Sequence, residues 1–239
     1  MNKKELIIEL KKINIELNEN QLKQIDDFWV LLSSENQKYN LTAIKTYEDY
    51  LLKHVYDSLT LYEKISDSDY KTLLDIGSGA GFPGIILKIA KPSLDITLLD
   101  SNNKKTTFLT KAKELLNLND LHIINDRAES FVKNKRESFD LVTARAVAKL
   151  DVLIELAVPF LKINGTFIAM KANVEEEMNQ GIIAAEVLGA KLNSTEEIRL
   201  PIENSVRTLI TVTKLSKTNL EYPRPYDRII KKPLKISKK

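Results

Sequence analysis

Four of the seven glycines in this chain fall within eight positions, directly after an apolar run at residues 72–76. These glycines are Gly77, Gly79, Gly81 and Gly84. Glycine adopts positive φ and has no Cβ, so such a stretch can turn sharply and let a ligand approach the main chain. A helical pattern follows at residues 85–90, and Pro83 suits a first helical position. We therefore expect a strand, a turn and a helix N-terminus that offers unpaired amide donors to a nucleotide-like ligand.

Two ligands fit this spacing. Residues 79–84 match the GxGxxG pattern of dinucleotide sites, whereas residues 75–81 match the acidic-x-Gly-x-Gly-x-Gly pattern of S-adenosylmethionine (AdoMet) methyltransferases. A carboxylate before the glycines suits the cationic amino group of AdoMet and suits a pyrophosphate poorly. Both ligands stay open at this point. The candidate cofactor-binding residues are Asp75, Gly77, Gly79 and Gly81.

Composition limits the other possibilities. The 239 residues include no cysteine, which excludes a disulfide framework and a thiolate nucleophile. The two histidines cannot form a metal cluster by themselves. No apolar run approaches the roughly 18 residues of a membrane span, and Glu5 and Glu9 interrupt the N-terminal apolar segment. We expect a cytoplasmic monomer with neither a metal nor a membrane partner.

Alternating strand and helix patterns from residue 72 onward predict a mostly parallel α/β sheet. Strands are predicted at 72–76, 95–99, 121–125, 139–143, 165–170, 192–199 and 206–213, and helices at 83–90, 103–117, 150–161 and 174–188. Only residues 201–205 separate the last two strands, which predicts an antiparallel edge hairpin. Seven strands ending in a hairpin favour the Rossmann-like fold of class I AdoMet methyltransferases over a dinucleotide fold.

Residues 2–65 contain neither glycine nor proline and predict helices. Asn18 with Gln21 predicts a capping box at the start of an amphipathic helix that ends near Tyr39. The expected organisation is a helical module at 1–66, an AdoMet-dependent methyltransferase domain at 67–215 and a basic tail at 216–239.

A further helix is predicted to start at Thr46, with Asp49 as the reciprocal residue. On it, His54, Asp57 and Ser58 are expected to share one polar face. We interpret His54 as a surface or interface histidine rather than a catalytic one.

Polar residues follow three of the predicted strands, where a parallel sheet binds its ligands. Asp100 ends the second strand, 23 residues after Gly77, and can accept the ribose hydroxyls of AdoMet or of NAD. After the third strand, residues 125–129 can meet an adenine edge, although a polar loop that caps the next helix explains them equally well. Arg145 follows the fourth strand among apolar neighbours, where the reacting end of a cofactor should point.

Together these motifs resemble those of the bacterial 16S ribosomal RNA guanine-N7 methyltransferases of small-subunit class G, also called glucose-inhibited division protein B. The resemblance covers about residues 36–215 and rests on the segments 40–44, 54–58, 75–84 and 98–101 and on the pair Arg145-Ala146. It implies methyl transfer from AdoMet to N7 of a guanine in 16S rRNA, the guanine at position 527 in the 530 loop. It also implies AdoMet contacts at Gly77, Phe82, Ala128, Glu129 and Arg145.

Guanine N7 carries a lone pair and no proton, so we expect catalysis by alignment, without an obligatory base. Arg145 is the one candidate catalytic residue. The expected partner is 16S rRNA or a small ribosomal subunit precursor. Two other functions stay open: an NAD(P)-dependent oxidoreductase and a non-catalytic RNA-binding protein.

The net charge of +3 is concentrated at the C-terminus, where residues 221–239 carry seven basic and two acidic side chains. Prolines at 223, 225 and 233 predict an extended strap rather than a helix. We expect this tail, whose linker departs from the family at residues 225–230, to bind rRNA phosphates. The expected contacts are Arg224, Arg228, Lys231 and Lys232. The alternative is that the tail packs on the sheet through Ile229, Ile230 and Leu234.

Overall fold

The computed structural model describes residues 1–66, 68–145, 148–172 and 174–235. Within them, seven strands form one sheet of order β3-β2-β1-β4-β5-β7-β6. The strands are β1 (Thr72–Ile76), β2 (Asp95–Asp100), β3 (Leu121–Asn125), β4 (Phe139–Arg145), β5 (Leu161–Lys171), β6 (Ala190–Arg199) and β7 (Val206–Lys214). The pairs β2–β3, β1–β4 and β4–β5 are parallel, and β7 is antiparallel to β5. The predicted mostly parallel sheet with an antiparallel edge is confirmed.

Helices connect most of the strands. They are α1 (Lys3–Lys12), α2 (Glu19–Tyr39), α3 (Tyr47–Tyr50), α4 (Asp57–Glu63), α5 (Gly84–Ala90), α6 (Asn103–Leu115), α7 (Ala128–Lys135), α8 (Leu150–Ala157), α9 (Met178–Val187) and α10 (Tyr226–Lys231). A π-helical segment, Leu51–Tyr56, joins α3 to α4. Pro83 precedes the first residue of α5 instead of occupying it.

The chain divides into two compact units. The first comprises Met1–Lys71, Gly77–Asn125 and Arg199–Ser205; the second comprises Thr72–Ile76, Asp126–Ile198 and Val206–Lys239. The first unit contains α1 to α6 with β2 and β3, and the second contains β1, β4 to β7 and α7 to α10. The boundaries expected at residues 66 and 215 stay a prediction.

In the first unit, α2 is fixed at both ends. Asn18 and Gln21 exchange two 2.9 Å hydrogen bonds as the predicted capping box, and Asn40 ends the helix at a φ of 50°. The side-chain amide of Gln21 also donates to the Ile89 carbonyl at 2.7 Å, which connects α2 to the end of α5. Phe28, on the inner face of α2, is fully buried. The N-terminal helices thus share a core with the helices that follow the glycine-rich segment.

The expected polar face around His54 is wrong. Asp57 and Ser58 are only 2% and 0% exposed. The π-helical segment explains the error, because its i→i+5 bonding widens the turn and alters which residues share a face. His54 itself is half-exposed, and its Nε2 lies 2.9 Å from the Thr42 hydroxyl.

The tail of the second unit also differs from expectation. Residues 226–231 form α10, which packs against α8, instead of an extended strap. Pro225 lies just before the helix, where proline costs no hydrogen bond and its fixed φ is compatible with a helix start. Ile229 and Leu234 are buried, whereas Ile230 is exposed. The tail therefore packs on the protein, as the alternative interpretation held for two of its three apolar residues.

Candidate functional site

The glycine-rich turn bends through three left-handed glycines. Gly77, Gly79 and Gly81 have φ of 70°, 57° and 95°. The Gly77 and Ser78 amides both donate to the Leu99 carbonyl, at 2.7 and 3.1 Å. These bonds hold the start of the turn against the end of β2, at the carboxyl edge of the sheet where ligands bind.

Five backbone amides of this turn, those of residues 77–79, 81 and 82, already have acceptors, contrary to the expectation of unpaired donors. The Gly79 amide donates to the Asp100 carboxylate at 2.9 Å, and the Gly81 and Phe82 amides donate to the Ser78 carbonyl at 2.7 and 3.2 Å. A pyrophosphate is held by free amides of such a turn and its helix. With these amides already bonded, the turn suits a ligand that donates hydrogen bonds better than one that carries phosphates.

Asp100 ends β2 and closes the turn. Its side chain is 7% exposed; one oxygen accepts from Gly79 and the other from the Asn102 amide at 2.8 Å. An ionised carboxylate has about four acceptor positions, so capacity remains for a ribose diol. Asn125, the register partner of Asp100, donates its side-chain amide to the Asp100 carbonyl at 3.1 Å. The ends of β2 and β3 thus present a fixed set of acceptors.

The space around two glycines separates their roles. Among the described residues, a Cβ on Gly79 would meet only the Gly77 carbonyl oxygen, 3.8 Å away, so this face of the turn is open to a ligand. A Cβ on Gly81 would lie 2.6 Å from Ile85 and 3.1 Å from Leu109. Gly81 is therefore required by internal packing. An open glycine face bordered by carboxylate and carbonyl acceptors fits the ribose and amino groups of AdoMet.

Phe82 belongs to an aromatic cluster under the turn. Its buried ring stacks on His54 with centroids 4.1 Å apart and contacts Phe28 and Tyr50 at 5.4 and 6.1 Å. Burial raises the pKa of the Tyr50 phenol, which stays neutral and donates to the Ile25 carbonyl at 3.0 Å. With its ring packed in this cluster, Phe82 is left with its main chain for contact with a ligand.

The other predicted cofactor residues lie in the second unit. Asp75 is fully buried on β1, paired in register with Thr143 of β4, and Arg145 is the half-buried last residue of β4. Their strands are parallel neighbours. Ala146, the second member of the motif pair, lies outside the described residues.

Ala128 and Glu129 open α7, a helix that the strand and helix prediction omitted. The polar segment before them therefore leads into a helix, in agreement with the alternative interpretation of residues 125–129 as a polar loop before the next helix.

Sequence reasoning missed a cluster at the end of β5. Lys171 donates to the Ala148 carbonyl at 2.9 Å and to the Glu177 carboxylate at 2.6 Å. The same Glu177 oxygen accepts from the Leu150 amide at 2.7 Å. Together these bonds fix Ala148 and the first residue of α8 to the end of β5. The sequence did contain a signal for this cluster: Lys171 directly follows the predicted strand at 165–170 and lies six residues before Glu177.

Metal clusters and membrane-spanning helices are absent from the described residues. Among the described residues, no three or more His, Cys, Asp or Glu side chains are grouped as metal ligands. In the same part of the chain, no helix combines the length and apolarity needed to cross a bilayer.

Several known proteins are similar to this chain. The family model described as rRNA small subunit methyltransferase G matches residues 21–206. Curated relatives named ribosomal RNA small subunit methyltransferase G include one from Bacillus subtilis, 43% identical over 94% of this chain and 95% of its own length. Another, from Lactobacillus acidophilus, is 44% identical over 98% of this chain and 100% of its own length.

Solved structures agree on the fold. M. jannaschii TYW2 in complex with AdoMet has a TM-score of 0.52 at 17% identity, covering 66% of this chain and 74% of its own. Precorrin-6y C5,15-methyltransferase from Geobacter metallireducens also has a TM-score of 0.52, at 14% identity, covering 77% of this chain and 98% of its own. With the turn, its carboxylate and these matches taken together, the chain belongs to the rRNA small subunit methyltransferase G family and is an AdoMet-dependent enzyme.

Proposed function

We propose that this protein transfers the methyl group of AdoMet to N7 of a guanine in 16S rRNA, by family resemblance the guanine at position 527. The observation that carries the proposal is the glycine turn closed by Asp100, in a chain whose family match spans residues 21–206. Its bonded amides and free acceptors favour a sulfonium nucleoside over NAD(P).

The proposed AdoMet contacts fall into two sets. In the first unit they are the main chain at Gly77, Gly79 and Phe82 and the carboxylate of Asp100. Gly81 supports the turn from inside, because a Cβ there would meet Ile85. In the second unit the proposed contacts are Asp75, Ala128, Glu129 and Arg145, which rest on the resemblance.

The proposed reaction requires the guanine N7 and the methyl group of AdoMet to be held in line. Bound AdoMet supplies an electrophilic methyl group on a sulfonium. Because guanine N7 has a lone pair and no proton, no residue of the chain needs to accept a proton. Holding nucleophile and methyl in line can lower the barrier by about 7–11 kcal/mol. Arg145, at the end of β4, is the residue we assign to orienting the reactants.

The proposed partner is 16S rRNA, free or within a small ribosomal subunit precursor, met in the cytoplasm by a monomer. Arg228, Lys231 and Lys232 are exposed and suit contact with phosphates. Arg224 was expected to join them, but its guanidinium binds Glu155 at 2.6 and 2.8 Å. We therefore place the phosphate contacts on the other three side chains.

Two measurements test this function. Calorimetry should detect saturable binding of AdoMet and none of NAD. Labelled AdoMet should then transfer its methyl group to 16S rRNA, offered as deproteinised RNA and as small-subunit particles. Binding of NAD in preference to AdoMet would support the oxidoreductase alternative, and RNA binding without transfer would support the non-catalytic one.

A further inference from the structure

A cavity of about 600 Å³ lies in the second unit. Its lining comes from the segment after β4, from the start of α9 and from α10, and includes Lys149, Asp151, Glu176, Gln180 and Tyr226. The segments that follow the parallel strands β4 and β5 both contribute to it. Sheets of this kind bind their ligands at that edge.

Asp151 is the unusual member of the lining. It is 7% exposed. Within the described residues no hydrogen bond or ion pair to its carboxylate is found, although the residue borders the cavity. Burying a charge without a partner is costly, so such groups are usually compensated. Asp151 is thus an acidic residue that borders space into which a hydrogen-bond donor can enter.

We propose that this cavity receives the target guanine base and that Asp151 accepts hydrogen bonds from its N1–H and N2 amino group. The inference rests on the proposed function and names the residue that selects guanine. Those two donors lie side by side on the Watson–Crick edge, and one carboxylate can accept both. N7 lies on the opposite edge and stays free to react. Adenine has an acceptor at N1, which the carboxylate repels.

The charge of the cavity supports a base over a phosphate as the occupant. Asp151 and Glu176 outnumber Lys149 in the lining, and Glu177 is paired with Lys171, so the net negative charge disfavours a phosphate. The half-buried Tyr226 offers an aromatic face of the kind on which extruded bases stack.

The same charge suits the reaction. In the transfer, the N7 lone pair forms the new N–C bond while the C–S electron pair stays on sulfur, so the positive charge passes to the purine. A carboxylate fixed beside the purine stabilises that developing charge without reorganising. Asp151 therefore acts in recognition and also favours the transition state.

A double-mutant cycle between enzyme and RNA tests the inference. Wild type and Asp151→Asn are each given small-subunit RNA with guanosine or inosine at the target position, since inosine lacks only the N2 amino group. Wild type should methylate the inosine substrate roughly 10- to 150-fold more slowly, the range for loss of one hydrogen bond to a charged group. Asp151→Asn should be slow on guanosine and discriminate by less than about 3-fold. Glu186→Gln, an exposed acid on α9, is the matched control and should behave as wild type.

Two further readouts separate recognition from a structural role. Asp151→Asn should keep its AdoMet affinity and melt within about 4 °C of wild type, because the carboxylate has no hydrogen bond among the described residues to lose and only its favourable interaction with the N-terminus of α8 is removed. Undiminished discrimination against inosine by Asp151→Asn would overturn the inference and leave the proposed function intact. A melting temperature lowered by more than about 4 °C, or loss of AdoMet affinity, would overturn it as well. If wild type transfers no methyl group to guanosine, the proposed function itself fails.

Discussion

Arg224 and Glu155 form a buried ion pair that anchors the tail. Their side chains are 11% and 1% exposed. The guanidinium Nε and Nη2 donate to the two carboxylate oxygens at 2.8 and 2.6 Å, and the Arg224 amide adds a third bond at 3.0 Å. Replacing Arg224 with methionine leaves the carboxylate buried without its cation. Breaking such a pair from one side costs about 3–5 kcal/mol. For a protein of this size that corresponds to a fall of roughly 6–20 °C in melting temperature.

Thermal and urea denaturation of three variants check this reasoning. Arg224→Met should be the least stable, and the double variant Arg224→Met with Glu155→Met should recover much of the loss, because an apolar pair needs no compensation. The reasoning is refuted if Arg224→Met melts with wild type while the salt dependence of RNA binding weakens by roughly 0.7–0.9 in log–log slope. That outcome would return Arg224 to the phosphate contacts predicted from sequence.

Three other predictions concern the first unit. Gly79→Val should weaken AdoMet binding at least about tenfold in calorimetry, because the valine side chain fills the open face. Gly81→Ala should mainly lower the melting temperature. Equal AdoMet affinity for wild type and Gly79→Val would show that the site lies elsewhere. Asp100→Asn should weaken AdoMet by about 1–3 kcal/mol, because an amide cannot accept from both amides and the ribose. Hydrogen bonds from Lys111 and then Lys38 lower the pKa of Glu35 from 4.5. The ionised Glu35 carboxylate therefore stabilises the folded protein fully above pH 4.5, and this stabilisation is lost as pH falls through the lower pKa of the folded state. The melting temperatures of wild type and Glu35→Gln should thus differ at pH 7 and converge in acid.

Features coded by neighbouring residues were predictable. The capping box of Asn18 and Gln21 involves residues three apart, so sequence alone was enough to predict it, and α2 ends at Tyr39 as expected. The strand β1 and the glycine turn were also found, since apolar runs and glycines carry local signals. The position of Asp100 followed from the rule that ligands bind beyond the ends of parallel strands.

Features set by distant contacts were missed. The turn amides were expected to be free, but residues 77–79 donate theirs to Leu99 and Asp100, which come from another strand. The helix at 226–231 depends on packing against α8, which outweighs the nearby prolines. The isolation of Asp151 is likewise invisible in a sequence, because it depends on which donors the fold keeps away.

Mapping the methylated atom tests the central claim most directly. Small-subunit particles that lack the modification are incubated with the enzyme and AdoMet, and the 16S rRNA is then cleaved chemically at N7-methylguanine. A single new cleavage at the target guanine, absent without AdoMet and strongly reduced with Gly79→Val, is the predicted result. Methyl incorporation without cleavage, or cleavage at many guanines, would contradict the assignment of this chain as a site-specific guanine-N7 methyltransferase.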